Sequence, residues 1–287
     1  MALWTPANTT TRLWLDGSDA STLYDATTGG SLVSAGGSIA RWEDKSGNAE
    51  HATQGTLGFR PTRQTNIQNG LAVVRFDGSD DLLSRTTNNV WRNLSWGAIY
   101  AVRKIDAATG IPWIIGIGIN TAAGTVRALM DLNRGATSKS GAGGRRLDAD
   151  TFASVQGATN YSTTVFQIQG AVFDYANTTL QVRVNGSTDG QSTTFQTAGS
   201  VADTSSAGFN VGANPGTAFF DGDIGELIVS STKADHERFE GYLAWKWGLQ
   251  GSLPAGHPYK NAAPAFASDE AGMFGGISGG MTGGFAT

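Results

Sequence analysis

Short apolar or alternating runs separated by turn residues mark strands along this chain, and one stretch alone takes a helical period. Val165-Phe166-Gln167-Ile168-Gln169 and Thr179-Leu180-Gln181-Val182-Arg183-Val184 alternate cleanly, as half-buried strands do. Ala98-Ile99-Tyr100-Ala101-Val102-Arg103 and Trp113-Ile114-Ile115-Gly116-Ile117 are apolar almost throughout, which predicts central strands of two packed sheets. Leu13 to Asp16, Ile39 to Trp42 and Leu71 to Phe76 are further strand candidates. Asn69-Gly70 and Asn185-Gly186 are turn dipeptides that predict hairpins. Near the end, the glycine-punctuated run Phe219 to Val229 reads as a strand leading into the exception. There Phe239, Tyr242, Leu243 and Lys246/Trp247 recur at helical spacing. Thr232, three residues before Asp235, is placed to cap this helix, and Gly248 to stop it. Trp245 and Trp247 are two residues apart, so both cannot face the core. The pattern predicts an all-β protein: a two-sheet antiparallel sandwich with one short C-terminal helix.

Composition agrees with that reading. Of 287 residues, 15% are charged against an average of about 25%, and there are 40 glycines. Such a balance suits short strands joined by tight turns. The net charge is −4 and the cations are scattered, the densest pair being Arg145-Arg146 in a Gly/Ser loop. Phosphate neutralisation needs clustered cations, so no nucleic-acid partner is expected. There is no cysteine, which removes disulfides and thiolate metal sites. The longest apolar run, Ile111 to Ile119, falls far short of the roughly 20 residues of a membrane helix, and the first residues lack the pattern of a secretory signal. Neither membrane insertion nor export is therefore expected. Residues 1–11 read as an arm, 12–262 as one sandwich domain, and 263–287 as a glycine-rich tail. That tail carries Met273, Phe274, Ile277 and Met281, which a free linker has little use for. These four are expected to dock against another subunit.

Four groups of residues are candidates for chemistry. Asp221-x-Asp223-x-x-Glu226 is the acidic cluster closest to a glycosidase pair, whose two carboxylates would act as nucleophile and general acid. On a regular strand Glu226 faces away from Asp221 and Asp223 unless a bulge at Gly222 or Gly225 resets the register, so no catalytic residue is assigned. Asp77-Gly78-Ser79-Asp80-Asp81 offers oxygens for Ca²⁺ through Asp77, Asp80 and Asp81, or else forms a solvated Asp-Gly turn, the favoured reading; no cofactor is required. His51, His236 and His257 are spaced unlike metal ligands and read as structural. Trp91 and Trp96, in a loop-to-strand region, are the candidates for stacking on a sugar, weighed against burial in the sandwich.

Three blocks in a fixed order carry a resemblance. They are Leu13-Trp14-Leu15-Asp16 with Trp42 to Asn48, Ala52, Gln54 and Arg60-Pro61; Asn69-Gly70 with Val74 to Leu82; and Phe220 to Tyr259. Together they resemble the concanavalin A-like, laminin G-type jelly rolls of tailed-phage virion proteins and bacterial surface proteins. Residues 120 to 160 carry no such motif. The resemblance implies a jelly roll that often binds glycans, sometimes through calcium. It also implies a non-catalytic structural and adhesive virion component, such as a head decoration, head fibre or tail protein. Such a protein is assembled in the host cytoplasm, acts outside it, and partners with other virion proteins, copies of itself and cell-surface glycans. A soluble or surface carbohydrate-binding module and a glucanase-type glycoside hydrolase are the alternatives, because this fold hosts all three.

Overall fold

A computed structural model describes residues 3–87, 89–119, 126–201, 207–214 and 216–265. The chain folds into two large antiparallel sheets, with a small two-stranded one formed by Ala213–Asn214 and Ala218–Phe219. The first, of eight strands, runs in the order Ser187–Ser192, Thr179–Val184, Gln167–Asp174, Trp96–Ala107, Asp221–Ser230, Leu71–Asp77 and Thr62–Gln68. Thr11–Asp16 also pairs with Asp221–Ser230. The second has nine: Ala153–Asn160, Lys139–Gly144, Ala128–Leu132, Trp113–Ile119, Gly208–Val211, Leu83–Arg85, Ala52–Thr53, Arg41–Trp42 and Leu23–Tyr24. The two apolar runs, Trp96–Ala107 and Trp113–Ile119, lie inside their sheets, with neighbours on both sides. Both predicted hairpins form. Asn69 and Gly70 have φ of 51° and 74°, and Asn185 and Gly186 have 49° and 80°, the positive angles that a two-residue hairpin turn demands.

Period-two alternation sorts the side chains into layers. Ile99, Ala101, Ile105, Leu227 and Val229 fill the core between the sheets with Ile115, Ile117, Met130 and Phe209. Trp96, Ala98, Tyr100, Val102 and Ile228 point to the outer face of the first sheet. Among the described residues the one α-helix, α1 (His236–Lys246), lies there and packs Phe239, Leu243 and Ala244 against them, followed by Trp247. Trp4 closes this second layer, its ring edge-on to Phe239 at 5.1 Å. The segment read as an arm is therefore tied to the sandwich from Trp4 onward. The four apolar residues expected to dock, Met273, Phe274, Ile277 and Met281, lie outside the described residues.

The ends of α1 differ from expectation at one side. A 3₁₀ turn, Lys233–Asp235, precedes it, and Thr232 makes no side-chain cap. The Thr232 hydroxyl reaches the Thr10 carbonyl instead, while Asp235 accepts from the Thr9 hydroxyl at 2.6 Å. At the other end Gly248, with φ 69°, terminates the helix as expected. Gln68 and Asn69 donate side-chain N–H groups to the Trp247 and Lys246 carbonyls. Trp247 is buried, and Trp245 is half-buried with its indole N–H donated to the Tyr259 carbonyl at 2.9 Å. Fully buried Glu240 clips the helix to the sheet, taking two hydrogen bonds from Arg183, at 2.6 and 3.0 Å, and lying 3.3 Å from His257.

Candidate functional site

Helix α1 covers only part of the outer face of the first sheet. Beside its first turn a cleft of about 270 Å³ remains, lined by Trp96, Asp174, Gln181, Lys233 and His236. Trp96 comes from a central strand, Asp174 from the strand next to it, Gln181 from the next strand out, and Lys233 and His236 from the turn that begins the helix. The polar groups are pre-set. Asp174 is held by Lys233 at 2.6 Å and by the Asn177 side-chain amide at 2.9 Å. Burial acts to raise the Asp174 pKa, but these donors outweigh it and keep the carboxyl ionised below its usual range. Gln181 gives its amide N–H to Gln191 at 3.1 Å. His236 Nδ1 is buried without a hydrogen-bond partner, and burial pushes the imidazole pKa down, so the ring is neutral at neutral pH. The cleft thus joins one indole wall to an ion pair, a primary amide and a neutral imidazole.

Of the two tryptophans expected to stack on sugar, Trp91 needs correction. Its ring is 0% exposed. It lies over Gly97, where a Cβ would come within 2.6 Å of it, and edge-on to Phe173 at 5.2 Å. A ring packed on both sides has no face to offer a ligand. Trp96 is 8% exposed and offers only the part of its ring that lines the cleft.

The acidic trio on Asp221–Ser230 is reset by a register shift between Ile224 and Glu226. The bulge sets Glu226 among the helix-facing groups of the sheet, so alternation no longer separates it from Asp223. Two of the three carboxylates, Asp223 and Glu226, are instead consumed by protein donors. Asp223 is bidentate with Arg75, at 2.7 and 2.9 Å. Glu226 is fully buried and accepts from Trp14 Nε1 at 2.6 Å, Tyr242 Oη at 2.9 Å and Trp247 Nε1 at 2.8 Å, with Lys246 at 2.7 Å. Lys246 also meets Asp16 at 2.8 Å, and Lys45 bridges Asp16 and Asp19. Burial raises the Glu226 pKa, helped by the Asp16 charge and opposed by Lys246. Asp16 is lowered: burial works against it, but Lys246 and Lys45 prevail. This chain of charges anchors the helix.

Asp77, Asp80 and Asp81 do come together, with ligand oxygens within 4.8 Å of one another. Asp77 accepts from the Ser79 and Asp80 N–H groups at 2.8 and 3.3 Å, and its own N–H donates to Asp81 at 3.0 Å. Gly78 has φ 74° and sits so close to Asp221 that a Cβ would lie 2.6 Å from it, so only glycine fits. Burial, then the Asp77 charge, push the Asp81 pKa up to about 7. The oxygens suit a hard cation, which would neutralise three adjacent charges, and they equally form the Asp-Gly turn the sequence suggests. His51 and His257 are structural, His51 accepting from the Asp44 N–H at 3.0 Å and His257 facing Glu240.

Sequence reasoning reached Trp96 but missed Asp174, Gln181, Lys233 and His236. They come from three separated segments, and no local spacing joins them.

The fold defines the class, a two-sheet antiparallel β-sandwich of jelly-roll type with one covering helix. No family model and no curated protein matches the chain. Among solved structures it is similar to domain 4 of AbnA, a GH43 extracellular arabinanase from Geobacillus stearothermophilus, in complex with arabinotriose. That match has 17% identity, covers 65% of this chain and 85% of that one, and has a TM-score of 0.48. It is also similar to the IT-sialidase CBM40 of Ruminococcus gnavus bound to α2,3-sialyllactose, at 14% identity over 56% and 89% of the two chains, with a TM-score of 0.43. A sialidase of Trypanosoma rangeli matches at 11% identity over 77% of this chain but only 30% of its own, with a TM-score of 0.48.

Proposed function

We propose that this chain is a non-catalytic, adhesive carbohydrate-binding sandwich. The observation that carries the reading is the cleft beside the start of α1. Its indole wall meets the apolar face of a sugar ring, while Asp174, Gln181, Lys233 and neutral His236 meet its hydroxyls. One shallow cleft gives weak binding, which many copies on one particle would convert to avidity. That is the use a phage virion makes of a decoration or fibre protein, and the virion is the setting we propose for this one, with other virion proteins and copies of itself as partners. The non-catalytic reading rests on Asp223 and Glu226 being occupied by protein donors. A glycan-array screen of the whole chain should return at least one reproducible ligand, and a chain that binds none refutes the reading. Incubation with β-glucans should release no reducing ends; turnover that Glu226→Gln abolishes would establish the hydrolase instead. Mass spectrometry of particles from the source phage should find the chain, and its absence would remove the virion setting while leaving sugar binding intact.

A further inference from the structure

A second and larger cavity, about 480 Å³, lies beside the C-terminal half of α1, between the helix and the first described residues. Leu3, Trp4, Tyr242, Trp245 and Pro264 form its walls. Leu3 is 66% exposed, an unusual position for leucine beside two indoles. The polar groups around the groove point away from it. Trp245 gives its N–H to the Tyr259 carbonyl, Tyr242 its hydroxyl to Glu226, Thr5 its hydroxyl to Asn8, and Lys246 lies between Asp16 and Glu226. A sugar seated here would find stacking surface and no hydrogen-bond partners among these groups, so each hydroxyl it buried would lose its water unreplaced. The groove fits an apolar peptide.

The chain itself supplies one. Trp4 N–H donates to the Pro264 carbonyl at 3.0 Å, and Leu3 pairs with Ala265, so the chain leaves the described fold at the rim of the groove. The next 22 residues, 266–287, include Phe266, Met273, Phe274, Ile277, Met281 and Phe285 among glycines. We infer that the 266–287 segment of the same molecule fills the groove with these side chains. Met273 is eight residues past Ala265, so at ~3.3–3.6 Å per residue it reaches up to roughly 26–29 Å and can enter from any side. Ordering a glycine-rich segment is entropically costly, which a separate peptide would meet poorly. A tether that starts at the rim keeps the segment at an effective concentration in the millimolar range, and the same contact within one molecule then holds. On this proposal Met273, Phe274, Ile277 and Met281 pack against their own molecule, whereas the sequence suggests another subunit.

The chain has no cysteine, which permits a clean test in the full-length protein. Leu3→Cys with Phe274→Cys places one thiol at the groove rim and one in the segment. Asn261→Cys with Phe274→Cys is the control, an exposed position four residues before Ala265 and outside the groove. Under mild oxidation the groove pair should form its intramolecular disulfide at least tenfold faster than the control, as read by mass spectrometry. Adding Trp245→Ala to the groove pair should bring its rate down to the control rate. Equal rates for the two pairs, or a rate indifferent to Trp245→Ala, overturn the proposal. A disulfide found mainly between two molecules also overturns it, assigning the groove to a second copy.

Discussion

Glu226 is the residue whose meaning depends most on what surrounds it. In the sequence it belongs to an acidic run; in the fold it is the fully buried acceptor for two indoles, a tyrosine and a lysine. Removing one member of a buried ion pair strands the other, at a typical cost of about 3–5 kcal/mol. Glu226→Gln keeps an acceptor for the indoles but leaves Lys246 with Asp16 alone. It should therefore lower stability by about 2–3 kcal/mol in urea unfolding. A stability within 0.5 kcal/mol of wild type, on the order of a surface substitution, would contradict the anchoring role. Asp81 makes the second prediction. Its carboxyl moves from an ordinary value of about 3.9 to about 7 on folding. Between those values the folded chain holds a proton that the unfolded chain has lost, so this contribution is complete at low pH and disappears as pH rises through 7. Asp81→Asn lacks that slope. Its melting temperature should rise relative to wild type between pH 4.5 and 8, at about 2–4 °C per kcal/mol for a domain of this order. Melting curves that stay parallel across the range would refute the assignment. If Ca²⁺ sits on these three carboxylates, it should raise the wild-type melting temperature at pH 8 and much less at pH 5. Equal effects at both would place the ion elsewhere.

At the scale of elements, the apolar pattern was enough where large apolar side chains recur regularly along a strand. Trp96–Ala107, Leu71–Asp77 and Thr179–Val184 all lie where the pattern puts them, and Gly248 ends the helix as read. The strands Ala128–Leu132, Lys139–Gly144 and Ala153–Asn160 were not legible. Lys-Ser-Gly-Ala-Gly-Gly is half glycine and carries no large apolar side chain to mark a face, and glycine is forced there by neighbours. A Cβ on Gly144 would lie 2.1 Å from the Arg127 carbonyl oxygen. The bulge at Gly225 was legible only as a possibility, since a register shift depends on both partner strands. The helix yields a paired prediction. Trp247 is buried beside Gly225 and Glu226, whereas Trp245 is half-buried at the groove. Trp247→Ala should cost about 3–5 kcal/mol, and Trp245→Ala less than half of that. Chemical denaturation that ranks the two in the reverse order would contradict the packing of α1.

Across the whole molecule, two unlike cavities border one helix. Near its first turn the lining is mostly polar with one indole; near its C-terminal half, by the chain's exit, it is apolar with its donors turned away. The sandwich was legible because burial writes period two into a sequence. The cleft was not, because Asp174, Gln181, Lys233 and His236 are ordinary surface residues until the sheet and the helix bring them together. Multivalent display asks little of each site, so affinities near millimolar for a single copy are consistent with an adhesive role. The most direct measurement is a calorimetric titration of the best array ligand into wild type and into Gln181→Ala and His236→Ala, two variants with unchanged cores. Loss of one hydrogen bond of about 1.4 kcal/mol should weaken binding about tenfold in each, with unfolding curves unaltered. Binding that is undiminished in both variants would contradict the assignment of the cleft.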